Sequence, residues 1–94
     1  MSIRFQWDPH KDERNARKHS VTFIEAATVF QDTLAYIFDD EAHSDHEFRE
    51  LIIGHSDRNR LLIVSYTEQD DLIRIISARK ANQRERKDYE NATR

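Results

Sequence analysis

The chain has 94 residues, apolar material for one core and not two, so a single domain spanning residues 1–94 is expected. Hydrophobic residues make up 37% and charged residues 35%, yet one Trp, three Tyr, five Phe and several Ile, Leu and Val runs exclude a disordered composition. Zero cysteines exclude disulfides and thiolate chemistry, one glycine excludes a glycine-rich phosphate loop, and the formal charge of −3 is an average over unlike segments.

The first element is a short strand, Ile3 to Trp7, in which Ile3, Phe5 and Trp7 alternate with Arg4 and Gln6. Asp8-Pro9 reads as a helix start, with the carboxylate as cap and proline at the first helical position, and a helix from about Pro9 to His19 follows. Its only apolar residue after Pro9 is Ala16, so an apolar face cannot hold it in place. Lys11, Asn15, Lys18 and His19 share one face at i, i+4, i+7 and i+8. Thr22 and Glu25 have capping-box spacing for a second helix, whose Phe23, Ala26, Ala27 and Phe30 form a core stripe.

From Leu34 the period becomes strand-like, with runs Ala35 to Asp39, Arg49 to His55, Leu61 to Glu68 and Leu72 to Arg79. The short connections Ser56 to Arg60 and Gln69 to Asp71 favour an antiparallel meander. Leu61 to Val64 and Ile73, Ile75 and Ile76 are apolar on both faces and read as central strands. A polar helix from about Lys80 to Asn91 completes the order βααββββα. The fold class is α+β: a mainly antiparallel sheet of four to five strands, two N-terminal helices covering one side, and one C-terminal helix. No apolar run is long enough to cross a bilayer and no cleavable signal pattern opens the chain, so a cytoplasmic protein without membrane contact is expected.

Charge is divided along the chain. Residues 1–20 carry 5 basic and 3 acidic side chains, residues 31–50 carry 1 and 7, and residues 72–94 carry 7 and 3. In an unbroken strand Ile73, Ile75, Ser77 and Arg79 share a face, so Arg79 emerges where sheet gives way to helix, followed by Lys80, Arg84, Arg86 and Lys87. An arginine fork among lysines provides bidentate donors and positive potential for a phosphodiester; a solvated helix with surface ion pairs is the plainer reading.

These pieces carry a resemblance. Phe5-Gln6-Trp7-Asp8-Pro9, with Lys11, Asn15 and Lys18-His19-Ser20-Val21, resembles the start of the BrnT family of toxins. Phe23, Glu25-Ala26, Val29-Phe30 and Asp32 continue the pattern. Glu47-Phe48-Arg49, Ile53-Gly54, Val64-Ser65-Tyr66-Thr67-Glu68, and Arg74 to Ala81 with Glu85 and Tyr89 complete it. The likeness covers nearly the whole chain in order. It implies a type II toxin-antitoxin toxin with a RelE-like ribonuclease fold, acting on RNA. It further implies neutralisation by a cognate BrnA-like antitoxin with a ribbon-helix-helix domain, which alone would bring operator DNA. One departure stands out: the family often has Arg after Thr-Glu in the third long strand, where this chain has Gln69.

RNA cleavage without a metal or other cofactor needs a base for the 2′-OH proton, cations for the phosphorane-like charge and an acid for the 5′-oxygen. His19 is the first candidate for acid-base work because imidazole titrates near neutral pH, against the alternative that it satisfies backbone groups at a helix C-terminus. Arg79 and Lys80 would bind the scissile phosphate, and Lys11, Asn15, Lys18, Arg74 and Arg84 would extend the RNA-binding surface. Glu85 is a candidate base or an ion-pair partner of Arg79 or Lys80. Tyr89 is a candidate proton donor or stacking surface, or a residue packed on the sheet. Trp7 could stack on a base, but burial beside the sheet fits a lone Trp at a strand end better. His43-Ser44-Asp45-His46 has spacing compatible with a metal, but its acidic surroundings read as a solvated loop or a contact for a basic antitoxin segment, and no metal site is assigned. A non-catalytic RNA- or protein-binding module is the alternative to the ribonuclease.

Overall fold

The computed structural model describes residues 3–41 and 48–92, so His43 to His46 lie outside the described residues. Strand β1 is Arg4–Gln6, helix α1 Pro9–His19 and helix α2 Phe23–Thr28, continued by a 3-10 turn at Val29–Gln31. Strands β2 (Tyr36–Asp39), β3 (Glu50–His55), β4 (Leu61–Gln69) and β5 (Leu72–Lys80) follow, then helix α3 (Gln83–Ala92). The order therefore departs from βααββββα only by the 3-10 turn. The five strands lie in the order β1-β5-β4-β3-β2. The meander β2 to β5 is antiparallel, but β1 runs parallel to β5, so the sheet is mixed.

The chain boundaries have local causes. Asp8 caps α1 by accepting from the His10 N–H at 2.8 Å, with proline in the first turn. Ser20, at φ 59°, ends α1 in a left-handed conformation and donates its N–H to the Ala16 carbonyl. The capping box at α2 is only half made. Thr22 accepts from the Glu25 N–H, but the Glu25 carboxylate turns away to accept from Ser56 Oγ at 2.7 Å and from the Arg60 guanidinium. Arg60 also donates to the Ser20 carbonyl, so one buried carboxylate ties α2, the β3-β4 turn and the end of α1 together. That pairing holds the Glu25 carboxyl below its ordinary pKa, against the opposing effect of burial. Helix α3 begins later than expected because Lys80 still pairs with Leu62 in the sheet and the Ala81 N–H donates to the Leu61 carbonyl.

The two faces of the sheet are unlike. Val21, Phe23, Ala26 and Val29 pack with Ile52, Leu62, Val64, Tyr66, Ile73, Ile75 and Ala78 in the main core. Phe30 crosses edge-to-face onto Tyr66, and Trp7 onto Phe23, so Trp7 is a half-buried core aromatic. On the other face, α3 covers one end only, through Tyr89 against Ile53 and Leu61. Gly54 is the one glycine because the main-core side of β3 is crowded at that point: a Cβ would stand 2.8 Å from Ala35 Cβ.

One irregularity decides where β5 presents its side chains. Tyr66 pairs with Ile75 while Ser65 pairs with Ser77, which leaves Ile76 as an extra residue on β5. The extra residue reverses the alternation. Ile73, Ile75 and Ala78 all face the main core, whereas Ser77 and Arg79 face the open side. The expected common face of Ile73, Ile75, Ser77 and Arg79 is therefore corrected by the bulge.

Candidate functional site

The uncovered part of the second face is a cleft of about 550 Å³. Its rim carries Lys18 and His19 from the end of α1, Arg49, and Arg79 from the end of β5; its floor includes Ile63, Ser65 and Ser77. A smaller groove lined by Lys11, Arg14, Lys18 and His19 shares Ser77 with it, so the basic side of α1 continues the cleft.

Helix α1 reaches this position through Asn15. Strand β1 pairs only with Leu72 to Arg74, leaving the outer edge of β5 without a strand farther along. There the Asn15 side chain receives the Ala78 N–H at 3.1 Å and donates to the carbonyls of Ala78, at 2.7 Å, and Val21, at 2.9 Å. A side-chain amide thus completes the strand edge where backbone pairing stops. Asn15 is buried, docks the helix that carries Lys18 and His19, and also lines the smaller groove. The His19 ring is half-buried, lines the cleft and makes no hydrogen bond to another described residue, so it does not act as a helix cap.

Arg79 and Glu85 form a two-pronged pair, with both N···O distances at 2.8 Å. Glu85 also accepts from the Asn82 N–H, while Asn82 Oδ1 receives the Glu85 N–H, so the carboxylate is at once part of a reciprocal helix cap and the anchor of the arginine. The Arg79 bond pulls the Glu85 carboxyl below its ordinary pKa despite burial, and the pairing pushes the Arg79 guanidinium higher still. Of the alternatives for Glu85, the geometry matches the ion-pair partner.

The remaining expected residues lie elsewhere. Lys80 alternates away from Arg79 toward the helix-covered side and does not line the cleft. Arg84 is exposed on α3, and Arg74 is half-buried in β5 between Gln6 and Thr67. Gln69 is six residues along β4 from Ile63, the partner of Arg79, or about 20 Å. The substitution of glutamine for arginine there is remote from the cleft.

Tyr89 belongs to a separate buried cluster. At 5% exposure it donates to Asp32 Oδ2 at 2.8 Å, with His55 Nδ1 at 3.2 Å from its oxygen. The same Asp32 carboxylate receives the backbone N–H groups of His55 and Leu34. Burial works against its charge, but those three donors prevail and hold its pKa below the ordinary value. Burial and the Asp32 hydrogen bond push the Tyr89 hydroxyl up to about 12. This arrangement pins α3 to the sheet, in keeping with the packing alternative for Tyr89. Arg14, Arg49, Ser65, Ser77 and Phe38 were missed as cleft or groove residues; Arg14 had a signal, at i+3 from Lys11 and i−4 from Lys18, and so did Ser77, two residues before Arg79 on the same face.

Comparison with known proteins gives three findings. No curated protein matches the sequence. A solved structure, the ribonuclease toxin BrnT of Brucella abortus, is similar with a TM-score of 0.67 and 22% identity over 87% of this chain and 100% of that one, a likeness of fold. A family model described as the ribonuclease toxin BrnT of type II toxin-antitoxin systems matches residues 7–85. With that match running from Trp7, just after β1, to Glu85 in α3, the chain belongs to the BrnT family of ribonuclease toxins.

Proposed function

We propose that the chain is an endoribonuclease that cleaves single-stranded RNA by attack of a 2′-OH on its own 3′-phosphate, without a metal, and that His19 and Arg79 carry the reaction. The supporting observation is the convergence of one imidazole with Arg79 and Lys18 around an open cleft. In this reading the 2′-oxygen bonds to phosphorus, the bond to the 5′-oxygen breaks, and the products are a 2′,3′-cyclic phosphate and a 5′-hydroxyl. His19 handles a proton in this exchange. Arg79, whose fork is oriented by Glu85, stabilises charge on the non-bridging oxygens, and Lys18, Lys11 and Arg14 hold the neighbouring phosphates. Asn15 and Glu85 are positioning residues.

The partner in this reading is a BrnA-like antitoxin with a ribbon-helix-helix domain, which would also carry the complex to operator DNA. The whole reading treats residues 1–94 as one functional domain.

Cleavage of a labelled RNA by wild type, His19→Gln and Arg79→Ala, with EDTA present, tests the assignment. Wild type should cleave in EDTA. His19→Gln should lose about 10²- to 10⁴-fold in rate while binding a 2′-O-methyl RNA, which cannot react, about as tightly as wild type. Full activity in His19→Gln, or loss of wild-type activity in EDTA, overturns the mechanism. Binding without cleavage by wild type would favour the binding-module reading.

A further inference from the structure

The cleft extends well beyond the cations that would meet a phosphate. Register places Phe38 opposite Leu51, Leu51 opposite Ser65, and Ser65 opposite Ser77, one row across four strands. All four residues line the cleft. The row grades from an aromatic ring at the β2 edge, through an aliphatic side chain, to two hydroxyls beside β5. The next row on the same face is Tyr36, Ile53, Ile63 and Arg79, so the phosphate-type cation lies one row over and three strands away from Phe38. At about 4.8 Å per strand, that is about 14 Å across the sheet.

Two features of this row are unexplained by folding. Phe38 keeps 38% of its surface exposed although it faces a cleft, and it is not left to swing: its ring lies 5.7 Å from Tyr36, whose ring stacks at 6.5 Å on the buried Tyr89. Ser65 is 7% exposed, yet its Oγ has no hydrogen-bond partner among the described residues. A buried hydroxyl without a protein partner is unfavourable unless water or a ligand supplies one, and on a cleft floor it is a polar group that a ligand can engage. An aromatic face held in place, an aliphatic wall and an unmatched hydroxyl are what an unpaired nucleobase needs, since every base has a π-face and polar edges. The cations Lys18 and Arg79 on the same cleft complement the phosphates that would carry such a base.

We propose that Phe38, Leu51 and Ser65 form a subsite for one unpaired nucleobase of the RNA, with Phe38 stacking on its face and Ser65 Oγ hydrogen-bonding its edge. The inference rests on the ribonuclease reading of the same cleft. It assigns the subsite to a nucleotide neighbouring the one whose phosphate meets Arg79, given the separation across the sheet. A serine hydroxyl both donates and accepts, so the subsite accepts more than one base.

The test uses 2′-O-methyl RNA oligonucleotides, which bind but cannot be cleaved, each with 2-aminopurine at one position. Wild type should quench 2-aminopurine fluorescence at one favoured position. Phe38→Leu, which keeps the apolar bulk and loses the ring, should abolish that quenching and weaken binding about tenfold, whereas Phe38→Trp should retain both. Ser65→Ala should keep or raise thermal stability while weakening binding about fivefold. Unchanged quenching and affinity in Phe38→Leu overturn the subsite, and unchanged affinity in Ser65→Ala removes Ser65 from it. The cleavage assay separates the two readings. Quenching that depends on Phe38 without cleavage retains the subsite and refutes the ribonuclease, whereas cleavage without such quenching does the reverse.

Discussion

A carboxylate gripped by an arginine fork is a poor proton acceptor, and Glu85 is gripped in that way with its pKa drawn down. As the anchor of Arg79 it should tolerate Glu85→Gln with a loss of about tenfold in kcat, against the 10²- to 10⁴-fold expected of a lost general base; single-turnover cleavage rates distinguish the two. Tyr89 gives a second residue-scale expectation. Burial and the Asp32 hydrogen bond push its hydroxyl from 10 up to about 12, so its contribution is fully present below pH 10 and lost as pH rises through 12, by at most about 3 kcal/mol. Thermal melts of wild type and Tyr89→Phe between pH 8 and 12 should converge at the alkaline end. The sequence grouped Arg79, Glu85, His19 and Lys18 in one site through their chemistry and the family resemblance. It did not reveal Phe38, Ser65 or the Asp32-His55-Tyr89 cluster, since their neighbours come from strands far apart in the chain.

At the scale of elements, α1 is the informative case. Its range, cap and polar character were legible, because proline, Asp8 and the lack of apolar residues are local signals. What fastens it was not, because Asn15 on a polar face looks the same whether it meets water or a strand edge 63 residues away. Asn15→Ala would leave the Ala78 N–H and two carbonyls unmatched, a loss of about 2–4 kcal/mol, and it should lower Tm by on the order of 10 °C or more. Asn15→Asp should be no better, since a carboxylate oxygen would then face two carbonyls. Both are read by calorimetry, and RNA cleavage should fall with them as Lys18 and His19 lose their position. Strand β1 was legible as a strand, but not as the parallel edge: alternation of Phe5 and Trp7 says which face is buried and nothing about direction.

For the whole molecule, the division into basic ends and an acidic middle is a feature of sequence that folding converts into geometry, bringing the end of α1 beside the end of β5. If three or four of Lys11, Arg14, Lys18 and Arg79 neutralise phosphates, the logarithm of RNA affinity should fall against the logarithm of salt with a slope of about −2 to −3; anisotropy titrations with 2′-O-methyl RNA measure it. A slope near zero would mean that the cations do not touch the RNA backbone. No helix among the described residues is long and apolar enough to cross a membrane. The bulge at Ile76 has a consequence for the chain as a written text. Hydrophobic alternation works as a reading frame, and Ile76 is a one-letter insertion that shifts the phase of everything after it. Were Ile76 kept but paired in a regular ladder without the bulge, the alternation from Ile73 onward would turn Ser77 and Arg79 into the core and Ala78 out to the cleft. The protein would then carry every residue of its proposed site and present the arginine to the wrong side.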